Sequence, residues 1–146
     1  MVQVLRSIYD AMVGHALEER PDECCGLLSG ANGVISRIYR AANVAENRRV
    51  RYEAAPLDVA RILNEIEDLR DEHLGIYHSH PRSEARPSAT DRKLAAYDVW
   101  YFVVSLQHPN EPDVRAFWLT KEHPSDEDAV VREEPIEIVD RVPGRR

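Results

Sequence analysis

The sequence predicts an α/β (α+β) protein in which a mixed, largely antiparallel β-sheet is flanked by helices. Three observations indicate this fold class. Residues 56–70 carry apolar side chains at helical spacing, whereas residues 99–106 form a nearly continuous apolar and aromatic run typical of a central strand. Asn32-Gly33 separates two further apolar runs and favours the turn of an antiparallel hairpin. Because strands and helices do not alternate strictly, the sheet is expected to be mixed.

The first part of the chain predicts a helix and then a hairpin. Apolar residues recur at helical spacing over residues 5–17, so an amphipathic helix is expected to end before Pro21. Residues 25–29 are an apolar run typical of a buried strand. Asn32-Gly33 suits a type I′ turn, which needs positive φ angles, and residues 34–39 are the expected return strand.

The central part predicts a second helix, the strand that carries the main motif, and a short third helix. Pro56 suits the first turn of a helix, and an apolar stripe follows it over residues 59–69. Residues 74–80 read as a buried strand that Pro81 ends, since proline cannot donate a ladder hydrogen bond. Residues 88–97 are the expected third helix.

The last part predicts two paired strands and a polar extension. Residues 99–106 and 114–119 are expected to pair across a turn that contains two prolines and an asparagine. From residue 121 onward the chain is polar, although Ile136 and Ile138 suit an added edge strand. We therefore expect a core over about residues 2–120 and a polar C-terminal extension over 121–146.

Composition limits the class of protein. The chain of 146 residues is 43% hydrophobic and 31% charged, which predicts one domain over residues 1–146. The net charge of -7 argues against general nucleic-acid binding. The sequence has neither a secretory leader pattern nor an apolar stretch of bilayer length, so we expect a cytoplasmic protein without membrane contact. Adjacent Cys24 and Cys25 offer no disulfide framework and are expected to be reduced and mostly buried.

Two histidines and an aspartate are spaced so that they can bind one divalent metal. His78 and His80 end the predicted strand, and residues two apart on a strand point to the same side. The turn after Pro81 is expected to bring Asp91 back toward them. Two imidazoles and one carboxylate leave the fourth position of a tetrahedral zinc ion open for water, which is the layout of a hydrolytic site.

Glu23 and Ser88 are the candidate catalytic residues of this site. Metal coordination lowers the pKa of water to about 7, and the reaction then needs a proton acceptor. Glu23 opens the otherwise apolar strand segment 23–28, where an acidic side chain needs an explanation. If this strand neighbours the histidine strand, Glu23 can take the proton and pass it to the leaving amine. Ser88 can donate a hydrogen bond to a tetrahedral oxyanion.

Each of these residues also has a simpler interpretation. Ser88-x-x-Asp91 alone resembles a helix capping box, and a glutamate at the start of a strand usually faces solvent. A His-x-His pair on a strand is more often hydrogen-bonded than bound to metal. Their joint occurrence favours the metal site. The remaining histidines lack comparable partners and are expected to be surface or core residues: His15, His73, His108 and His123.

The combination resembles the JAMM motif of the MPN+ zinc metalloproteases. Glu23 is followed by His78-x-His80-Pro81 and then by Ser88-x-x-Asp91, and the segment around Glu23 is similar to that of short stand-alone prokaryotic members, including Mec-type peptidases. The similarity spans about residues 2–120. It implies a cytidine-deaminase-like JAMM/MPN fold and one Zn²⁺ per chain, bound by His78, His80 and Asp91. It also implies acid/base catalysis by Glu23 and oxyanion stabilisation by Ser88.

The resemblance further implies the reaction and the partner. Members of this family hydrolyse a peptide or isopeptide bond after the C-terminal glycines of a ubiquitin-like or sulfur-carrier protein. We expect such a Gly-Gly tail to bind as an extended strand along an exposed sheet edge.

Two other functions stay open at this point. One is a noncatalytic MPN-type module that binds ubiquitin-like proteins. The other is an iron oxygenase with two histidines and a carboxylate, although such sites usually lie in all-β barrels, which the predicted helix over 56–70 disfavours.

Overall fold

An eight-stranded mixed sheet forms the centre of the computed structural model, which describes residues 1–143. The strands are β1 (Val2–Leu5), β2 (Cys25–Ala31), β3 (Val34–Ala41), β4 (Glu72–His80), β5 (Trp100–Ser105), β6 (Asp113–Thr120), β7 (Val130–Glu134) and β8 (Ile136–Val139). Their order in the sheet is β7-β6-β5-β4-β2-β3-β1-β8. Within residues 1–143, four of the seven neighbouring pairs are antiparallel, which confirms the predicted mixed and largely antiparallel sheet.

Helices cover both faces of this sheet. They are α1 (Arg6–Glu19), α2 (Pro56–Asp68) and α3 (Ala89–Leu94). On one face, Met12 and Ala16 of α1 pack with Tyr77 and Phe102 in a buried cluster. On the other face, Ile62 of α2 belongs to a second cluster. The two apolar faces of β4 and β5 therefore serve two separate cores.

The sheet curls around α1. β7 and β8 lie at opposite edges of the strand order, yet Pro135 alone separates them in the chain. Two residues joined through one intervening residue lie at most about 7 Å apart, so the two sheet edges must approach each other at this point. Tyr9 of α1 lines a small cavity there together with residues of β6, β7 and β8.

The hairpin turn forms as the sequence predicts. Asn32 has a φ of 56° and Gly33 a φ of 76°, so both central residues occupy the left-handed region that a type I′ turn requires. The turn joins β2 to β3 in antiparallel register and places the start of β2 beside the end of β3.

Several element bounds differ from the sequence prediction. The third helix ends at Leu94 and not at residue 97, because Ala95 already has extended backbone angles of -60° and 121°. The strands β1 and β7 were not predicted. The predicted extension over 121–146 contributes β7 and β8 to the sheet, with Ile136 and Ile138 in the expected edge strand, and its residues 144–146 lie outside the described part. None of the helices within residues 1–143 is long and apolar enough to cross a bilayer.

Candidate metal centre

His78 and His80 are presented by the end of β4, in the interior of the sheet. In the strand register, His78 lies between Cys25 of β2 and Val103 of β5. Both histidines are buried, with relative exposures of 1% and 5%. Because they are two residues apart on one strand, their rings converge on the same side, and their Nε2 atoms lie 3.1 Å apart.

Asp91 approaches the two histidines from the first turn of α3. Its Oδ2 atom lies 3.0 Å from Nε2 of His78 and 3.2 Å from Nε2 of His80. Ligand atoms about 2.0 Å from a tetrahedral zinc ion are about 3.3 Å from one another. The three atoms therefore have the mutual spacing of ligands to a single ion, and the donor set suits zinc.

Ser88 is the N-cap residue of α3 and fixes the position of Asp91. The Ser88 N–H donates to Oδ2 of Asp91 at 2.7 Å, and Oγ of Ser88 accepts from the Asp91 N–H at 3.0 Å. This is a capping box, so the structural interpretation of Ser88-x-x-Asp91 is confirmed. The side chain of Ser88 is exposed, and its hydroxyl hydrogen has no acceptor among residues 1–143.

The two imidazoles are oriented by different contacts. Nδ1 of His80 lies 2.8 Å from the carbonyl oxygen of Glu84, to which it donates, so Nε2 is the nitrogen left with a free lone pair. Nδ1 of His78 is buried and has no hydrogen-bond partner among the described residues. The ring of His78 instead stacks on Tyr52, with centroids 4.4 Å apart and an interplanar angle of 20°.

Burial and charge set the protonation states at this site. Burial opposes ionisation of Asp91, but the neighbouring histidines and the Ser88 N–H more than offset it and hold the pKa of Asp91 well below its usual range. Burial lowers the pKa of His78. The pKa of His80 is raised because its bonds to Asp91 and to the Glu84 carbonyl outweigh the effect of burial. An ionised carboxylate beside a neutral imidazole is what a cation requires.

Glu23 lies beside the two histidines, just before the neighbouring strand β2. It immediately precedes Cys24, whose N–H donates to Oγ of Ser79 at 2.8 Å, and β2 pairs with β4 as the proposed site requires. One carboxylate oxygen of Glu23 lies within 4.8 Å of ligand atoms of both His78 and His80. Glu23 is only 5% exposed, and burial raises its pKa to about 8. This buried Glu23/His78/His80 group could hold a metal ion.

A large cleft opens next to this group. Its volume is about 1170 Å³, and Asp91 lines it together with residues of β2, α2 and the chain between β3 and α2. Because Asp91 lines it, the cleft borders the candidate metal centre.

Two residues near the site were not singled out from the sequence, Tyr52 and Asn43. Tyr52 contacts His78, and Asn43 donates to the carbonyl oxygen of Glu23 at 2.9 Å. The only sequence signal for Tyr52 was an aromatic residue inside an arginine-rich link, and Asn43 gave none.

The other histidines occupy core and surface positions as expected. His15 is buried, and its Nδ1 lies 2.7 Å from the Tyr77 hydroxyl. His73 is half-buried with a backbone partner, whereas His108 and His123 are exposed.

Comparison with known protein families decides the classification. Residues 5–120 match the family described as prokaryotic homologs of the JAB domain. The chain belongs to this family. The matched range contains Glu23, His78, His80, Ser88 and Asp91, and the predicted resemblance to short prokaryotic JAMM proteins is confirmed.

Curated relatives of this JAB-family protein are peptidases. It is 34% identical to the CysO-cysteine peptidase of Mycobacterium tuberculosis over 144 residues, which cover 96% of this chain and 93% of the relative. It is 37% identical to the desampylase of Haloferax volcanii over 101 residues, 65% of this chain and 73% of the relative. A probable TtuB-protein conjugate cleaving protease of Thermus thermophilus is 34% identical over 119 residues, 82% of this chain and 76% of the relative. The protein is a JAMM-type metallopeptidase, as the sequence predicted.

Solved structures confirm the fold. A protein from Desulfitobacterium hafniense superimposes with a TM-score of 0.83 at 27% identity and covers 98% of this chain and 96% of its own. A JAB1/MPN domain protein from Archaeoglobus fulgidus gives a TM-score of 0.58 at 18% identity, with 95% of this chain and 97% of its own covered, and shows the fold alone.

Proposed function

We propose that this JAB-family protein hydrolyses the peptide or isopeptide bond after the C-terminal glycines of a ubiquitin-like or sulfur-carrier protein. One Zn²⁺ per chain is held by His78, His80 and Asp91. The observation that carries this proposal is the convergence of three ligand atoms at 3.0 to 3.2 Å, with the carboxylate of Glu23 alongside. The relatives named as a CysO-cysteine peptidase and as a probable TtuB-protein conjugate cleaving protease support the substrate class.

Asp91 is the third ligand in this proposal, and Glu23 is the acid/base. Both carboxylates lie near the histidines, but Asp91 alone is within 3.2 Å of both Nε2 atoms. Oε1 of Glu23 is buried and has no hydrogen-bond partner among residues 1–143, so no described residue occupies the lone pairs with which it would accept a proton. These contacts separate the two roles.

A bound zinc ion supplies an acidified water and polarises the scissile carbonyl. Glu23 accepts a proton from the attacking water at its carboxylate and donates it to the nitrogen of the leaving amine. The free hydroxyl hydrogen of Ser88 donates to the carbonyl oxygen as negative charge develops there. His78, His80 and Asp91 hold fixed positions throughout, because each is anchored by its strand or by the capping box.

The tail of the carrier needs a free backbone edge close to the site. β4 is paired on both sides, by β2 and β5, so the sheet itself offers no edge there. Glu53 and Ala55 bond to Val44 and Ala42, which follow β3 in the chain. This short antiparallel bridge leaves the backbone groups of Tyr52 and Ala54 pointing away from residues 42–44. Both residues line the cleft. We propose that the Gly-Gly tail binds as an extended strand and pairs with the backbone groups of Tyr52 and Ala54.

The location is part of the same proposal. Both cysteines are buried free thiols within the described chain, which suits a reducing compartment. We propose the cytoplasm, and fractionation of cells that produce the protein tests it.

The deciding experiment uses zinc-loaded protein and carrier proteins extended beyond Gly-Gly, either by residues at the terminus or by an isopeptide-linked peptide. Product masses should show cleavage after the second glycine. Glu23→Gln should lose activity while keeping zinc, and the exposed Glu67→Gln on α2 should match wild type. Wild-type protein that holds zinc fully but cleaves none of these carriers would favour the noncatalytic binding module. The iron oxygenase is disfavoured because the sheet is mixed and flanked by helices.

A further inference from the structure

Within residues 1–143, Glu23 itself makes no backbone hydrogen bond to a strand of the sheet. β2 begins at Cys25, so Glu23 lies outside the strand ladder. Its two backbone groups are bonded instead to the chain between β3 and α2, residues 42–55, which we call the β3–α2 connection. The Glu23 N–H donates to the carbonyl oxygen of Arg48 at 2.7 Å, and its carbonyl accepts from Nδ2 of Asn43 at 2.9 Å. The connection therefore takes the place of a neighbouring strand.

The side-chain amide of Asn43 makes several hydrogen bonds that stabilise this connection. Besides the bond to Glu23, its Nδ2 donates to the carbonyl oxygen of Arg51 at 2.9 Å. Its Oδ1 accepts from the N–H groups of Ala45 and Glu53, both at 3.0 Å. An amide offers two donor hydrogens and one carbonyl oxygen with two lone pairs, and all four are used here. Removal of the donors would release Glu23 and Arg51 together.

Tyr52 belongs to the same connection and contacts one of the two histidines. It follows Arg51 directly, and its ring stacks on His78 at 4.4 Å. Histidines that bind metals are normally oriented by a hydrogen bond to their second nitrogen. His80 has this bond through the Glu84 carbonyl, but Nδ1 of His78 has no such partner among the described residues. Besides its contacts to His80 and Asp91 within the site, the ring of His78 has the face of Tyr52 stacked against it, and this stack can fix the plane of the ring.

We propose that Asn43 and Tyr52 are positioning residues, through which the β3–α2 connection holds Glu23 and His78 in place relative to each other. Asn43 acts on the backbone of Glu23, and Tyr52 acts on the ring of His78. The proposal rests on the proposed function in taking Glu23 as the acid/base and His78 as a zinc ligand. Both parts can nevertheless be measured without any substrate.

The Tyr52 part is tested by zinc affinity, measured by competition with a chromophoric chelator. Tyr52→Phe keeps the stack and should bind Zn²⁺ within twofold of wild type, whereas Tyr52→Leu should bind about tenfold more weakly or worse. Tyr97→Leu is the matched control, because Tyr97 lines the same cleft but stacks edge-on against His73. Tyr52→Met replaces the leucine variant if that variant does not fold. This part would be overturned if Tyr52→Leu bound Zn²⁺ as tightly as wild type, or if Tyr52→Phe and Tyr52→Leu lost Zn²⁺ affinity equally.

The Asn43 part is tested by hydrogen exchange at the Glu23 amide. Asn43→Asp keeps the shape and the acceptor but loses both donors, so this amide should exchange at least about tenfold faster than in Asn64→Asp, an exposed control with the same change of charge. The amide of Val103 in β5 should be unaffected. Asn43→Ser is the second variant if the aspartate variant does not fold. Unchanged exchange at Glu23, or an equal rise at Val103, would show that Asn43 serves general stability.

Measurements of turnover distinguish a failure of the positioning roles from a failure of the proposed function. On a cleavable extended carrier, Asn43→Asp should lower kcat about tenfold or more while KM changes less, because the acid/base group is displaced. Normal zinc affinity and exchange in both variants would refute the positioning roles even if the wild type is an active peptidase. A wild type inactive on every carrier would refute the substrate assignment and leave the zinc and exchange results standing.

Discussion

Nε2 of His78 and Nε2 of His80 lie 3.1 Å apart and share one oxygen of Asp91, at 3.0 and 3.2 Å. Three lone-pair-bearing atoms this close together repel one another unless a proton or a cation lies between them. The pKa of Asp91 is held low by the histidines and the Ser88 N–H, and burial lowers the pKa of His78, so a divalent cation would satisfy all three groups at once.

This relationship predicts the effect of Asp91→Asn. Loss of the negative charge should weaken zinc binding by about a hundredfold or more, and the rise in Tm that saturating Zn²⁺ gives the wild type should largely disappear. Asp98→Asn, an exposed change of the same kind, should bind like wild type. Chelator competition and thermal unfolding with and without zinc measure both quantities. Wild-type affinity in Asp91→Asn would mean that Glu23 is the third ligand.

Substitutions of Ser88 distinguish its role in helix capping from its proposed role in stabilising the oxyanion. Glycine at an N-cap costs a few tenths of a kcal/mol, whereas alanine costs about 1 kcal/mol. Ser88→Gly should therefore leave the Tm almost unchanged yet lower kcat by about a hundredfold, since the hydroxyl donor is gone. Ser88→Ala should lower both. A Ser88→Gly protein with wild-type kcat would assign Ser88 to helix capping alone.

The motif residues were predictable because their spacing follows from simple geometry. His78 and His80 alternate on a strand, and a proline after them forces a turn, so their convergence follows from local rules. The turn after Pro81 was expected to bring Asp91 back, and the capping box at the start of α3 holds it there. These rules depend on near neighbours in the sequence, which explains why they hold.

The elements that were missed depend on distant partners. β1 is four residues long and joins the sheet by pairing in parallel with β3 and β8. β7 alternates poorly and contains three charged residues, since most of its side chains face solvent at the sheet edge. Neither strand has enough local apolar pattern to be recognised alone. Asn43 is a similar case, because its four hydrogen bonds reach residues up to 20 positions away.

Two glycines should respond in opposite ways to alanine. A Cβ at Gly26 would lie 2.3 Å from the Tyr39 carbonyl oxygen and 2.5 Å from Cε1 of Tyr77, because Gly26 lies directly opposite Tyr77 in the β2–β4 pair. Gly26→Ala should lower the free energy of unfolding by about 2–3 kcal/mol. A Cβ at Gly14 meets nothing within 4 Å inside α1, so Gly14→Ala should raise that free energy by about 0.5–1 kcal/mol. Urea unfolding of both variants checks this, and effects of the same sign would contradict the packing at Gly26.

The buried pair of His15 and Tyr77 predicts a loss of stability in mild acid. Burial, together with the charge of Arg40, lowers the pKa of His15 from 6.5 to about 4. Between these two values the unfolded chain binds a proton at His15 that the folded chain does not, so the free energy of unfolding falls as the pH drops from about 6.5 to about 4. At about 1.4 kcal/mol per pKa unit, the loss amounts to about 3 kcal/mol.

Comparison of His15→Gln with wild type isolates this contribution. Other groups also titrate in this range, but they are common to both proteins, so the difference between the two unfolding free energies should shrink by about 3 kcal/mol from pH 7 to pH 4. His108→Gln, an exposed histidine, should follow the wild-type curve. Urea unfolding at closely spaced pH values measures the difference. Parallel curves for wild type and His15→Gln would mean that His15 is protonated as easily in the folded protein as in the unfolded chain, against its burial between α1 and Tyr77.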